Sequence, residues 1–229
     1  MLHYDEWLSG LLRKPSYHVS GNLRDINSAH IPDENCFIDA KVSVEDISSI
    51  KHLEKLGFNL IDTNIQLVRK ASVIEIDTEG ARFATSSDEK AVREIAGFSF
   101  LQSRFHLDNS IPNHIANTVK SEWAGNFFLK KRGDWMVISE INGLVVGFLQ
   151  LLKKNDSTIV IDLIAVSPDQ QGLGIGKSMI SFAIQNCLEG NPTVIVGTQI
   201  ANTNSLKTYN NLGFRTSSAQ YVFHLHNSK

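Results

Sequence analysis

Apolar and polar positions along the chain change period several times, and each change predicts an element. Cys36 to Lys41 predicts a short strand, and beyond it Ile47, Ile50 and Leu53 fall at helical spacing. Ser43, with Asp46 three residues on, predicts the cap of that helix, and Gly57 its C-terminal stop. Phe58 to Val68 predicts extended chain. After an acidic stretch from Ile74 to Gly80, Ser86-Ser87-Asp88-Glu89 has capping-box spacing ahead of Val92, Ile95 and Ala96. A loop over 103–112 leads to a second helix with Ile115, Val119 and Trp123 on one face. Trp135 to Val166 is patterned as strands, with Asn142-Gly143 as a hairpin turn and Lys153 to Ser157 as another. Thr158 to Val166 is apolar except near its start and at Asp162, which suits a central strand covered on both faces.

The remaining third alternates. Met179, Ile180, Ala183, Ile184 and Cys187 mark a helix with one buried face, which Glu189 to Pro192 stops. Thr193 to Thr198 predicts a strand, Thr203 to Asn211 a helix ended by Gly213, and Tyr221 to His226 a last strand. This order predicts an α/β fold, a mixed sheet flanked by helices that starts with an antiparallel hairpin and continues through helical crossovers. The acidic stretch divides the chain into an N-terminal subdomain, 1–78, and a larger domain, 79–229. Lys51 to Phe58 and Lys207 to Phe214 share Lys, Leu, Gly and Phe at matching places. Leu-Gly-Phe is a good helix stop in its own right, or the N-terminal subdomain is a degenerate copy of the C-terminal half. In the second case Leu53 stands where Tyr209 stands, and the first copy carries no visible chemistry.

Composition narrows the function. The 229 residues carry 22 Lys+Arg against 24 Asp+Glu, a net charge of -2, without the basic excess of a nucleic-acid binder. No apolar run approaches the roughly 20 residues that span a bilayer, and Asp5 and Glu6 stand where a signal peptide would be basic. Two cysteines, Cys36 and Cys187, form neither a disulfide framework nor a metal spacing. The expectation is a cytoplasmic protein without a membrane or nucleic-acid partner, and without a metal, since no His/Cys cluster has ligand spacing.

Gln170-Gln171-Gly172-Leu173-Gly174-Ile175-Gly176-Lys177-Ser178 follows an apolar strand and opens an amphipathic helix. Glycines admit a ligand to the backbone, and a helix N-terminus offers free N–H groups to phosphate. A dinucleotide fingerprint fails here because position 177 is Lys, and a phosphate-binding P-loop fails because position 171 is Gln. Gln171, Gly174 and Gly176 instead meet Gln/Arg-x-x-Gly-x-Gly/Ala. Further on, Asn202, Ser205 and Tyr209 occupy one helix face ahead of Gly213 and Phe214. Together these segments resemble the GNAT acetyltransferase superfamily over 135–226.

That resemblance implies direct acetyl transfer from acetyl-CoA to an amine. Ile164, Ala165 and Val166 are then expected to bind pantetheine, and Gln171, Gly172, Leu173, Gly174, Ile175, Gly176 and Lys177 the pyrophosphate, with Asn202 and Tyr209 completing the cofactor site. Tyr209 is the implied general acid. Asp162 is a candidate base, as are Glu140 and a water chain; Asp162 as a structural carboxylate, Tyr209 as a packing residue and Asn202 as a helix cap are the alternatives. Taken whole, the chain resembles the TDP-fucosamine acetyltransferases and related sugar N-acetyltransferases, through its length, its N-terminal subdomain and Ser103-Arg104-Phe105. The implied acceptor is a nucleotide-linked amino-deoxy sugar, with Arg104, His106 and Trp123 as substrate residues and a homodimer as a possible assembly. Arg104 pairing a diphosphate and Arg104 making an ordinary surface contact both stay open. So do other acceptors (an aminoglycoside, a polyamine, a protein N-terminus) and a non-catalytic acyl-CoA-binding module.

Overall fold

Alternation along the strands sorts their side chains onto the two faces of a single sheet. The computed structural model describes residues 1–70, 76–187 and 192–228. Its ten strands run, from edge to edge, β1 (Leu2–Tyr4), β2 (Ser16–Val19), β3 (Cys36–Ser43), β10 (Arg215–Asn227), β4 (Asn59–Lys70), β9 (Thr193–Gln199), β8 (Thr158–Val166), β7 (Leu144–Asn155), β6 (Trp135–Ile141) and β5 (Ala81–Phe83). Helices α1 (Glu6–Leu12), α3 (Glu89–Ser99) and α4 (Asn113–Gly125) cover one face, where Phe37, Phe105, Ile138 and Phe148 are buried. Helices α2 (Ile47–Lys55), α5 (Ile175–Asn186) and α6 (Thr203–Asn211) cover the other, over Ile38, Leu67, Leu149 and Val196.

Most predicted elements are present, with local shifts. Asp46, not Ser43, caps α2, accepting from the Ser49 N–H at 3.0 Å, while Ser43 ends β3. The capping box ahead of α3 pairs Thr85 with Asp88, one residue earlier than expected. Asn142 and Gly143 both take positive φ, as their hairpin turn requires. β10 begins six residues before Tyr221, and α1, β1, β2 and β5 have no counterpart among the predicted elements. Ile74 and Glu75 of the acidic stretch, and Glu189 to Asn191 of the helix stop after α5, lie outside the described residues.

The two similar segments form matching β-α-β units, β3-α2-β4 and β9-α6-β10. Asp46 and Asn202 cap the two helices in the same way, and Phe58 N–H and Phe214 N–H each bond back to the residue five before, Leu53 and Tyr209, at 3.0 Å. The final strands are exchanged, since β10 lies between β3 and β4 while β4 lies between β10 and β9. The shift that carries Lys51 onto Lys207 also converts one ladder into the other, turning the pair Gln220–Ser43 into Asn64–Gln199. Strands from both sides of the expected boundary therefore share one sheet.

Two irregularities shape the middle of that sheet. β8 and β9 run parallel but pair only from Thr158–Thr193 to Ile161–Val196, after which they part toward their C-terminal ends. Parting parallel strands open a crevice there, the place where α/β sheets bind ligands. A register shift between β7 and β8 pairs Gln150 with Leu163 and Leu151 with Ile161, leaving Asp162 as an extra residue. Such a bulge re-aims a side chain, here toward α4. Because β10 holds hydrogen bonds along both edges, a fragment of residues 79–229 leaves both edges bare. This fragment is expected to aggregate on refolding where the whole chain elutes as a single species, which size-exclusion chromatography checks.

Candidate active site

The glycine loop is shaped for a ligand laid across it. Pro168–Gln170 form one 3-10 turn, and the Gln171 side-chain amide donates to the Val166 carbonyl at 3.0 Å, tying the loop to the end of β8. Gly172 and Gly174 take φ of +83° and +85°, which favours glycine, and a Cβ at either would meet open space. Gly174 sits at the N-cap of α5, so the first N–H groups of α5 have no carbonyl a turn earlier in the helix. The loop lines a cleft of ≈ 700 Å³ together with Ile164, Ala165 and Val166 of β8 and Asn202 and Tyr209 of α6. Leu173 is the exception among the predicted loop residues, since its side chain stands 68% exposed.

Tyr209 is 3% exposed and lines this cleft, its ring edge-on to Phe214 at 5.5 Å. Burial pushes its hydroxyl well above the ordinary phenol range, so it is protonated at neutral pH. Asn202 serves as the cap of α6, accepting from the Ser205 N–H at 3.2 Å, and lines the cleft from that position. The backbone and side chains here fit an extended, phosphate-bearing thioester such as acetyl-CoA.

On the opposite face of the sheet the predicted residues are already engaged. Asp162 Oδ2 accepts from Trp123 Nε1 at 2.9 Å, Gln150 Nε2 at 3.0 Å and Arg132 Nε at 2.7 Å, while Oδ1 accepts from Arg132 Nη2 at 2.6 Å. Trp123 packs edge-on to Trp7 at 5.9 Å, with the Lys120 ammonium 4.9 Å and the Arg132 guanidinium 5.0 Å from its ring centre. Arg104 reaches Asp39 of β3 in an ion pair and lies 4.7 Å from the centre of the Phe105 ring. His106 bonds Ser103 Oγ at 2.6 Å through Nδ1 and the Asn117 amide at 2.8 Å through Nε2. Burial lowers its pKa below the ordinary value. Glu140 bonds Arg82, which also holds Asp88, beside the sheet edge.

Asp39, Lys41, Lys120, Arg132 and Gln150 carry no local signal, because the elements that bring them to this face are far apart in the chain. Asp39 is buried, which raises a carboxyl pKa, yet Arg104 and His18 outweigh that and hold it well below the usual range. A second cluster joins Asp108 Oδ2 to His224 Nδ1 and to His226 Nε2, both at 2.7 Å. Lys14, a donor only, lies 2.9 Å from His226 Nδ1 and so fixes the tautomer that donates to Asp108. These three side chains lie close enough to hold a metal ion, and Asp108 stands more than a hundred residues before the two histidines. His224 and His226 share a face because strand residues two apart do.

The profile of the acetyltransferase (GNAT) family matches residues 93–214. The chain belongs to that family, whose members transfer acetyl groups from acetyl-CoA. It is 27% identical over 234 residues to the spore coat polysaccharide biosynthesis protein SpsD of Bacillus subtilis (strain 168), covering 96% of this chain and 80% of that protein. It is 26% identical over 189 residues to the dTDP-fucosamine acetyltransferase of Escherichia coli O6:H1 (strain CFT073), covering 80% and 79%. A conserved protein of unknown function from Staphylococcus epidermidis ATCC 12228 shares the fold, with TM-score 0.60, 17% identity, and 93% of this chain and 84% of that one covered. Among the described residues no helix is long and apolar enough to cross a membrane.

Asp39 and Asp108 contribute to the acid limit of this fold. Both have folded pKa values below the ordinary carboxylate value, Asp108 because its histidine bonds outweigh its burial. Their stabilisation is therefore complete above about pH 5 and is lost as pH falls through about 4 toward the folded values. Urea unfolding from pH 6 to pH 2.5 is expected to show stability falling below about pH 4, with a shallower fall in Asp39→Asn, whose side chain cannot titrate.

Proposed function

We propose that this chain transfers acetyl from acetyl-CoA to the amine of a nucleotide-linked amino-deoxy sugar of the TDP-4-amino-4,6-dideoxyhexose type. One observation carries the reading. Next to Ser103, which lines the cleft with Tyr209, Arg104 packs against Phe105, and on the same side of the sheet Arg132 packs against Trp123, charges suited to phosphate and rings suited to a flat base. The names of SpsD and of the E. coli enzyme, which match most of this chain, agree with it.

In this reading the N–H groups from Gln171 to Lys177 hold the pyrophosphate of acetyl-CoA, and the backbone of Ile164 to Val166 orients the pantetheine and thioester. Asn202 fixes the start of α6 and so the position of Tyr209 two turns further along the same face. Tyr209 gives its proton to the departing sulfur, a role suited to a phenol that burial keeps protonated. Asp162 has its oxygens filled by three side chains, so it acts as an organiser that holds Trp123 and Arg132 at the acceptor side. Arg104, with Asp39 already on it, offers its remaining donors to an acceptor phosphate, and His106 steadies its loop.

Thiol release from acetyl-CoA, measured with TDP- and UDP-amino sugars beside aminoglycosides and spermidine, tests the reading. Turnover is expected with a 4-amino sugar nucleotide, and Tyr209→Phe is expected to lower kcat by about 10²–10⁴-fold with little change in KM. Turnover of a drug or polyamine alone would sink the sugar acceptor while keeping acetyl transfer.

A further inference from the structure

Lys120 is a buried cation whose neighbours do not neutralise it. It projects from α4, is 9% exposed, and rests its ammonium 4.7 Å from the centre of the Phe100 ring and 4.9 Å from that of Trp123. Among the described residues no carboxylate lies within ion-pair distance of it. The nearby acids are committed elsewhere, Asp162 to Arg132, Trp123 and Gln150, and Asp39 to Arg104 and His18. The charged and titratable groups that act on Lys120 or feel it are Arg104 and His106 from the loop before α4, Lys41 from β3, Arg132 from the loop before β6, and Asp162 from β8. Only Asp162 favours its charge. Burial and the cations around it lower its pKa to about 8, against a weaker pull from Asp162.

Its place in the fold gives that chemistry a use. Phe100 lines the same cleft as the glycine loop and Tyr209, so the ammonium stands behind one cleft wall. Trp123 joins it to Asp162, from whose bulge β8 continues as the strand along the cleft. α4 and α5 lie on opposite faces, and β8 and β9 part beyond Ile161 and Val196. An acceptor amine bound at the Phe100 side of the cleft lies on the same side of the sheet as Lys120. Asp162 has both oxygens engaged by neighbouring side chains, and Glu140 is bonded to Arg82.

We propose that Lys120 is the general base that takes the proton from the acceptor amine. The inference rests on the acetyl-transfer reading and draws on the sugar reading only for its probe. As the amine nitrogen bonds to the carbonyl carbon and the carbon–sulfur bond breaks, neutral Lys120 accepts the N–H proton. Tyr209 gives its hydroxyl proton to sulfur. The Lys120 ammonium then releases a proton to solvent and the Tyr209 phenolate takes one up, so both groups return to their starting forms with no net change. A lysine serves here where an arginine cannot, because only the ammonium loses its proton near neutral pH.

The test compares Lys120→Ala and Lys120→Arg with the unaltered enzyme, using acetyl-CoA and a TDP-4-amino-4,6-dideoxyhexose from pH 6 to pH 10. The expected kcat of the unaltered enzyme rises along a limb with an apparent pKa near 8. Lys120→Ala is expected to lose about 10²–10⁴-fold and that limb, and to regain rate with added ethylamine. Lys120→Arg keeps the charge and is expected to remain as impaired as Lys120→Ala. Lys120→Arg within about fivefold of the unaltered enzyme, or Lys120→Ala raising KM with kcat unchanged, would assign Lys120 as a fixed cation for an anionic acceptor and overturn the base. If the probe is not turned over, the sugar reading fails separately. In that case, and if a variant fails to fold, nitrogen-15 NMR of the Lys120 ammonium in the unaltered protein decides. A midpoint near 8 supports the proposal and one above 10 overturns it.

Discussion

Everything in this molecule hangs on β10 entering the sheet between β3 and β4. A strand from the end of the chain there satisfies its backbone groups on both edges with strands from the first third. That placement aligns β4 beside β9, and so sets where β9 leaves β8 and the crevice opens. It also brings His224 and His226 to Asp108, and Asp39 and Lys41 to the face covered by α4. Edge satisfaction is obligatory for a buried strand, so the N-terminal segment acts as part of the sheet that carries the cleft.

The second governing constraint is the cost of burying charge. Each ionised group on the α4 face is either paired or shifted toward its neutral form, since isolated charge is expensive away from water. Arg104 and Arg132 are satisfied by Asp39 and Asp162, with the hydrogen bonds that such pairs need. Among the described residues Lys120 has no carboxylate at ion-pair distance and rests on two aromatic faces. Tyr209 obeys the same rule in the cleft, where burial keeps the phenol neutral. The acid and the base proposed here thus both arise from desolvation, one holding its proton and the other poised to gain one.

Much of this was legible in the linear chain. The helices α2 to α5 announced themselves by period 3.6, α2 and α6 by glycine stops, and Asn142-Gly143 announced its hairpin, because these depend on contacts a few residues apart. Ser43 was misplaced as a cap because Asp46 offers the same hydrogen bond from a position better suited to the start of α2. β1, β2 and β5 escaped notice, being three or four residues long and held by their neighbours instead of by any pattern of their own.

The glycine loop and the run from Asn202 to Phe214 show what the sequence by itself determined, namely a strand–loop–helix fit for phosphate and a tyrosine on the face above it. Their chemistry lies in local backbone conformation and helix periodicity, which a short segment encodes alone. Tertiary structure alone decided which charges meet. Arg104 finds Asp39, Asp162 is surrounded by three donors, and Lys120 is left unpaired, because burial and ion pairing depend on elements separated by most of the chain and on a strand exchange that no local pattern records.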